Sequence, residues 1–124
     1  MFIDVTNMDA RVVDLLRFAA ELDGYTSLHP VYTKDREYLE GTLLDNRPDP
    51  IPDYIADEEK CLSLVLNNLG TGNMSVKKEA GEYVVTVFTN PVSVSGDTHI
   101  SLSVALLSAL KNFMEKGNEK RKPV

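Results

Sequence analysis

A chain of 124 residues with 43% hydrophobic and 26% charged residues is long enough for one domain with a real core, and ordinary enough in composition to fold. Its formal charge of −6 is uneven: from Lys111 onward five basic residues stand against Glu115 and Glu119, a net of +3, so the remainder carries −9. An acidic body repels a phosphate backbone and argues against general nucleic-acid binding, and a single cysteine, Cys61, builds no disulfide framework.

No apolar run approaches the ~18 residues of a membrane span, and "MFIDVTNMDAR" lacks the basic-then-apolar order of a signal peptide. A cytoplasmic protein with no membrane contact is expected, as a single domain over 1–124 whose basic end, 117–124, is a disordered, solubilising tail.

The first periodic segment is "TNMDARVVDLLRFAAELDG". Val12, Leu15, Leu16, Ala19 and Leu22 share one helix face, with Asp14, Arg17 and Glu21 opposite. Thr6 or Asn7 suits the cap, and Gly24 the left-handed residue that ends the helix. From Tyr25 to Asp45 the pattern is weak: "HPVYT" reads as a short strand and "EYLEGTLLD" as a strand or a broken helix. Pro48, Pro50 and Pro52 then impose an extended connector.

A second helix is predicted in "DEEKCLSLVLNNLG", capped by Asp57 and stopped by Gly70, with Ile55, Leu62, Val65, Leu66 and Leu69 as the buried stripe and Cys61 beside it. "MSVKKEAGEYVVTVFTN" reads as a hairpin turning at Ala80-Gly81-Glu82. Tyr83, Val85 and Val87 face one way and Val84, Thr86 and Phe88 the other; both sets are largely apolar, which predicts packing on both faces of the strand. The last helix, Ser101 to Lys116, is apolar over most of its circumference, so it is buried by its own fold or by a second chain, and self-association into a homo-oligomer is expected.

The order of these pieces, from "PDYIADEEKCLSLVLNNL" through "MSVKKEAGEYVVTVF" to "GDTHISLSVALLSALKNF", resembles the phage ABA-sandwich domain. Pro52, Tyr54 and Asp57 match that family's P-x-Y-x-x-D lead-in to a helix, and Gly96, Asp97, Thr98, Leu102 and Ala105 match its small-polar turn and final helix. The match spans about the C-terminal three fifths of the chain. The resemblance implies an α+β fold, a three-layer α/β/α sandwich around a small, mainly antiparallel sheet. It also implies a phage or prophage origin and, by similarity of layout to phage anti-Thoeris signal-sequestering proteins, capture of a nucleotide-like host signal without catalysis. In such proteins an arginine on the last helix is expected to hold phosphate; here no base precedes Lys111 in that helix.

The residues themselves carry no catalytic motif, so no enzyme activity, cofactor or metal is expected. His29, His99 and Cys61 lack ligand spacing, and "GTG" at Gly70–Gly72 lacks the lysine of a phosphate loop. "SVSGD" is not a nucleophile elbow. Binding is the better expectation, and the polar hinge "TNPVSVSGDTHIS" between the last strand and the last helix is its place. Phe88, Asn90, Ser95 and Thr98 are the candidate ligand-binding residues, although Asp97, Thr98 or Ser101 also suits simple helix capping. The alternative is a protein–protein interaction or accessory structural role through an apolar face of the last helix.

Overall fold

The structure, a computed structural model, describes residues 5–6, 8–43, 47–70, 72–89 and 92–121, with only the backbone given for 92 and 117–121. The first helix, α1 (Ala10–Leu22), begins later than Thr6 or Asn7 because Asp9 caps it: its carboxylate accepts from the Arg11 amide at 2.8 Å. Asn7 lies outside the described residues. Gly24 follows with φ +104°, the left-handed conformation that the chain needs to turn directly into a strand.

The weakly patterned stretch is an antiparallel hairpin of β1 (Tyr25–Tyr32) and β2 (Glu37–Leu43), and the proline-rich connector adds a two-residue edge strand, β3 (Asp49–Pro50). β1 is irregular between Thr26 and His29, where Ser27 takes φ +55°; this bulge disrupts the alternation by which a strand is recognised. β3 suits its position, since Pro50 has no amide to donate and edge strands tolerate that.

The second helix, α2 (Glu58–Asn68), is capped as expected by Asp57, which accepts from the Lys60 amide at 3.0 Å. Its buried face differs from the expected stripe. Cys61, Leu64 and Val65 are buried, whereas Leu62 and Leu66 are 37% and 52% exposed. Both phases satisfy three-four spacing and both contain Val65, so periodicity alone does not choose between them. The choice comes from α3, against which Cys61 packs closely enough for its thiol to reach the Ser103 carbonyl at 3.7 Å.

A second antiparallel sheet follows: β4 (Asn73–Glu79), β5 (Glu82–Thr89) and β6 (Val92–Ser95), in that order. Ala80 and Gly81, with φ +51° and +83°, form the two-residue turn between β4 and β5. β6 occupies part of what reads as a hinge, so the chain makes one more hairpin before entering the last helix, α3 (Leu102–Arg121). α3 runs past the Lys116 end expected from its pattern; of the tail expected at 117–124, residues 122–124 and the side chains of 117–121 lie outside the described residues.

Contacts pass from the first sheet through α1 to α3, and from α3 to β5 and β6, with α2 against α3 and α1. The molecule is thus α+β, with three helices and two three-stranded antiparallel sheets among the described residues. α3 is the hub: every residue from Ser103 to Leu110 is buried, including Leu106, Leu107 and Leu110 at 0% exposure. Each such leucine contributes roughly 1.5–3 kcal/mol when fully withdrawn from water. Its apolar circumference is therefore used inside this chain, by α1, α2 and the second sheet together.

β5 shows the opposite pattern. Val85 and Val87 are buried against α3, but Val84 and Thr86 are only half-buried and Phe88 is exposed on the other face. No helix of the described residues packs there. Instead the register aligns Phe88 with Ser93, and Thr86 with Ser75 and Ser95, into a small serine- and threonine-rich surface.

Candidate ligand-binding groove

The join between β6 and α3 is built around one close approach. A Cβ on Gly96 would stand 2.4 Å from the Ala109 amide nitrogen and 2.8 Å from its Cα, so only glycine lets this backbone lie flush on the middle of α3. Two hydrogen bonds fasten it there: the Asp97 amide donates to Ser108 Oγ at 2.8 Å, and Asn112 Nδ2 donates to the Ser95 carbonyl at 3.2 Å. The chain then pairs with β5 once more, the amides of Tyr83 and His99 exchanging bonds with each other's carbonyls, before α3 begins.

The start of α3 is closed by its own residues. Ser101 caps it, its carbonyl accepting from the Ala105 amide at 3.1 Å and its hydroxyl lying 3.4 Å from the Val104 amide. The Ser101 amide in turn donates to His99 Nδ1 at 2.9 Å, which places the ring proton of neutral His99 on Nε2. Of the alternatives that the sequence leaves open at this turn, capping by Ser101 is the one observed. Asp97 and Thr98 do not cap it, and among the described residues neither side chain has a hydrogen-bond or ion-pair partner.

They line a groove. The first turns of α1 face the middle of α3 across a cleft of two adjoining lobes, each of about 160 Å³, which share Arg11, Leu15, Asp97 and Ser108. The outer lobe adds Asp14, Lys111, Asn112 and Glu115. The inner lobe adds Asp9, Val12, Thr98, His99 and Val104. Helical spacing produces both walls: Arg11, Asp14 and Leu15 repeat at three and four on α1, as do Val104, Ser108, Lys111, Asn112 and Glu115 on α3.

The electrostatics of the groove are mixed. Four carboxylates, Asp9, Asp14, Asp97 and Glu115, accompany two cations, yet among the described residues neither Arg11 nor Lys111 has a carboxylate oxygen within 4 Å. Arg11 projects from the α1 start, where the helix dipole does not favour a cation. Both cations are thus available to a ligand, and the carboxylates are available to hydroxyl donors.

The four sequence candidates separate. Thr98 lies in the inner lobe. Phe88 and Ser95 share the outer face of the second sheet, where Ser95 Oγ and Thr86 Oγ1 are 2.9 Å apart. Asn90 lies outside the described residues. Sequence reasoning missed Arg11, Ser108, Lys111 and Asn112; the signal for the last three is the polar stripe that interrupts the apolar surface of the last helix at 108, 111, 112 and 115.

Other reactive groups are committed to the fold. Burial pushes the Cys61 thiol up to about 11, the bond to Ser103 only partly opposing it, so this is a core thiol and not a nucleophile. His29 Nε2 lies 3.1 Å from Glu40 across the β1–β2 hairpin, far in sequence and fold from His99. Among the described residues no cluster of three His, Cys, Asp or Glu side chains is arranged to hold a metal, and no helix is long and apolar enough to cross a membrane. A broader depression of about 430 Å³ between α1 and the β1–β2 hairpin is lined mainly by aliphatic side chains, with Asp14, Arg17 and Glu37 as its charged groups; it takes in none of the four residues expected from sequence.

No protein-family model, curated protein or solved structure matches this chain.

Proposed function

We propose that this protein is a non-catalytic binding protein that takes a small nucleotide-like ligand in the groove between α1 and α3. The observation that carries the reading is the pair Arg11 and Lys111, two cations in one cleft without carboxylate partners among the described residues, beside the hydrogen-bonding side chains of Ser108 and Asn112. Arginine and lysine are the side chains that bind phosphate by charge-assisted hydrogen bonds, while aspartates accept from ribose hydroxyls. A mixed-charge cleft suits a ligand carrying both groups better than it suits a bare polyanion.

Sequestration of a host defence signal by a phage-encoded protein in the cytosol is the biological form of this proposal, and its support is the resemblance of layout to the phage ABA-sandwich domain. The arginine that the resemblance expects on the last helix has no counterpart before Lys111, and Lys111 is the cation that α3 brings to this cleft. A full three-layer α/β/α arrangement belongs to the same proposal, with the open face of the second sheet awaiting its second layer.

The alternative, a protein partner held by an apolar face of the last helix, loses its motive, because α3 is covered by its own chain from Ser103 to Leu110. The test is native mass spectrometry of protein purified from cells whose defence system has been triggered. A bound mass of a few hundred daltons that is lost in Arg11→Gln supports the reading. Protein that is empty, or that carries a host polypeptide, counts against it.

A further inference from the structure

Two lobes of about 160 Å³ set a size limit on what the groove encloses. A cavity of about 150 Å³ holds one benzene ring, so each lobe encloses about one ring or one phosphate, and both lobes open to solvent. A dinucleotide, with two bases and two phosphates, does not fit inside.

The lobes also differ in kind. The outer one carries Lys111 and Asn112 and is the more open and polar. The inner one is more enclosed and has aliphatic walls, Val12 and Val104, with Thr98 and His99 between them. His99 Nδ1 is occupied by the Ser101 amide, which leaves Nε2 as a directed donor; among the described residues neither Nε2 nor the Thr98 hydroxyl has a hydrogen-bond partner. Asp97 and Arg11 stand at the junction and line both lobes.

We infer that the groove binds a phosphoribosyl group, with the phosphate in the outer lobe on Lys111 and Arg11, and the ribose in the inner lobe against Val12, Val104, Thr98 and Asp97. This rests on the groove being the binding site, and it adds which part of a nucleotide is recognised. The sugar's apolar face packs on the valines while its hydroxyls donate to the Asp97 carboxylate and accept from His99 Nε2. A nucleobase, if present, lies outside and contributes little. The four carboxylates disfavour free phosphate, which brings its charge without a sugar to pack on the valines.

Calorimetric titration at low ionic strength with inorganic phosphate, ribose 5-phosphate, adenosine monophosphate and uridine monophosphate tests this on the full chain. Ribose 5-phosphate and both mononucleotides are expected to bind within about threefold of one another, and inorganic phosphate at least about tenfold more weakly. Lys111→Gln should weaken all three organic phosphates about tenfold, and Thr98→Val should weaken them without changing the affinity for phosphate, at unaltered melting temperatures. Equal binding of phosphate and ribose 5-phosphate overturns the ribose lobe. So does a mononucleotide preference above about tenfold that depends on the base. Tight binding of a mononucleotide that survives both substitutions overturns the inference and moves the ligand to another surface, leaving a binding protein. No binding by any of the four overturns the inference; if larger nucleotides then bind in an Arg11-dependent way, the proposed function stands without it, and if none binds, both fall.

Discussion

Two polar regions of this molecule hold similar groups and differ in what those groups do for each other. In the first, Tyr54 is fully buried and its hydroxyl donates to Asp23 at 2.7 Å, with Lys60 3.7 Å from the same carboxylate and 5.9 Å from the centre of the tyrosine ring. This cluster ties the end of α1 to the segment leading into α2, and each polar group has a partner. In the groove, Arg11, Lys111, Asp14, Asp97 and Glu115 lie close enough to line one cleft, but no ion pair forms among them. A satisfied cluster is structural because removing any member strands another. An unsatisfied one contributes little to folding, and its groups keep their bonding capacity for something else. Partnering, more than residue type, separates the two.

The largest effect is expected where the groove is made of backbone. Gly96→Ala drives a Cβ into the Ala109 main chain, where no side-chain rotation relieves it, and should cost about 3 kcal/mol or more. Chemical denaturation would measure this, and a loss under about 1 kcal/mol would show that the hinge does not sit flush on α3.

High pH sharpens the contrast next. Burial, and then the bond to Asp23, hold the Tyr54 phenol well above the ordinary tyrosine range, while burial raises the Cys61 thiol from 9.0 to about 11. Both groups bind their proton more tightly folded than unfolded, so the stability they contribute is complete below the unfolded ionisation and is lost as pH rises. For Cys61 alone that is roughly 2–3 kcal/mol between pH 9 and pH 11. Thermal midpoints should fall across this window, and the Cys61→Ala variant should show a shallower fall; an unchanged slope would mean that the thiol is not buried.

Tyr54→Phe against Arg11→Gln is the direct comparison. The first leaves Asp23 without its shortest bond and should cost about 2 kcal/mol, whereas the second should change stability by no more than about 0.5 kcal/mol. Equal losses would place Arg11 among the structural groups and remove the basis of the binding site.

The smallest effect concerns an exception inside the core. Ser103 Oγ is buried and has no hydrogen-bond partner among the described residues, so Ser103→Ala should stabilise the protein by about 1 kcal/mol, read as a rise of a few degrees in Tm.

Much of the architecture is legible before any coordinates. The three helices, the Asp57 cap, the turn at Ala80-Gly81 and the glycine stops follow from local rules, because capping and turn geometry depend on a few adjacent residues. The β1–β2 hairpin is weakly legible because a bulge at Ser27 breaks its alternation. The phase of α2 is ambiguous because two stripes share Val65. β6 is hidden because four residues of mixed serine and valine next to a proline read as a loop as readily as an edge strand.

The site divides along the same line. Sequence by itself determined that α3 is apolar nearly all round and that a polar turn precedes it, since composition and spacing are local properties. It did not determine whether its own fold or a second chain covers α3. Only the tertiary structure decided that α1, α2 and the second sheet supply that cover, that Gly96 lays the turn along the middle of α3, and that Arg11 and Lys111 line one cleft. The reason is physical: burial and cleft formation are properties of surfaces meeting, and residues 11 and 111 share a cleft only after α1 and α3 have packed.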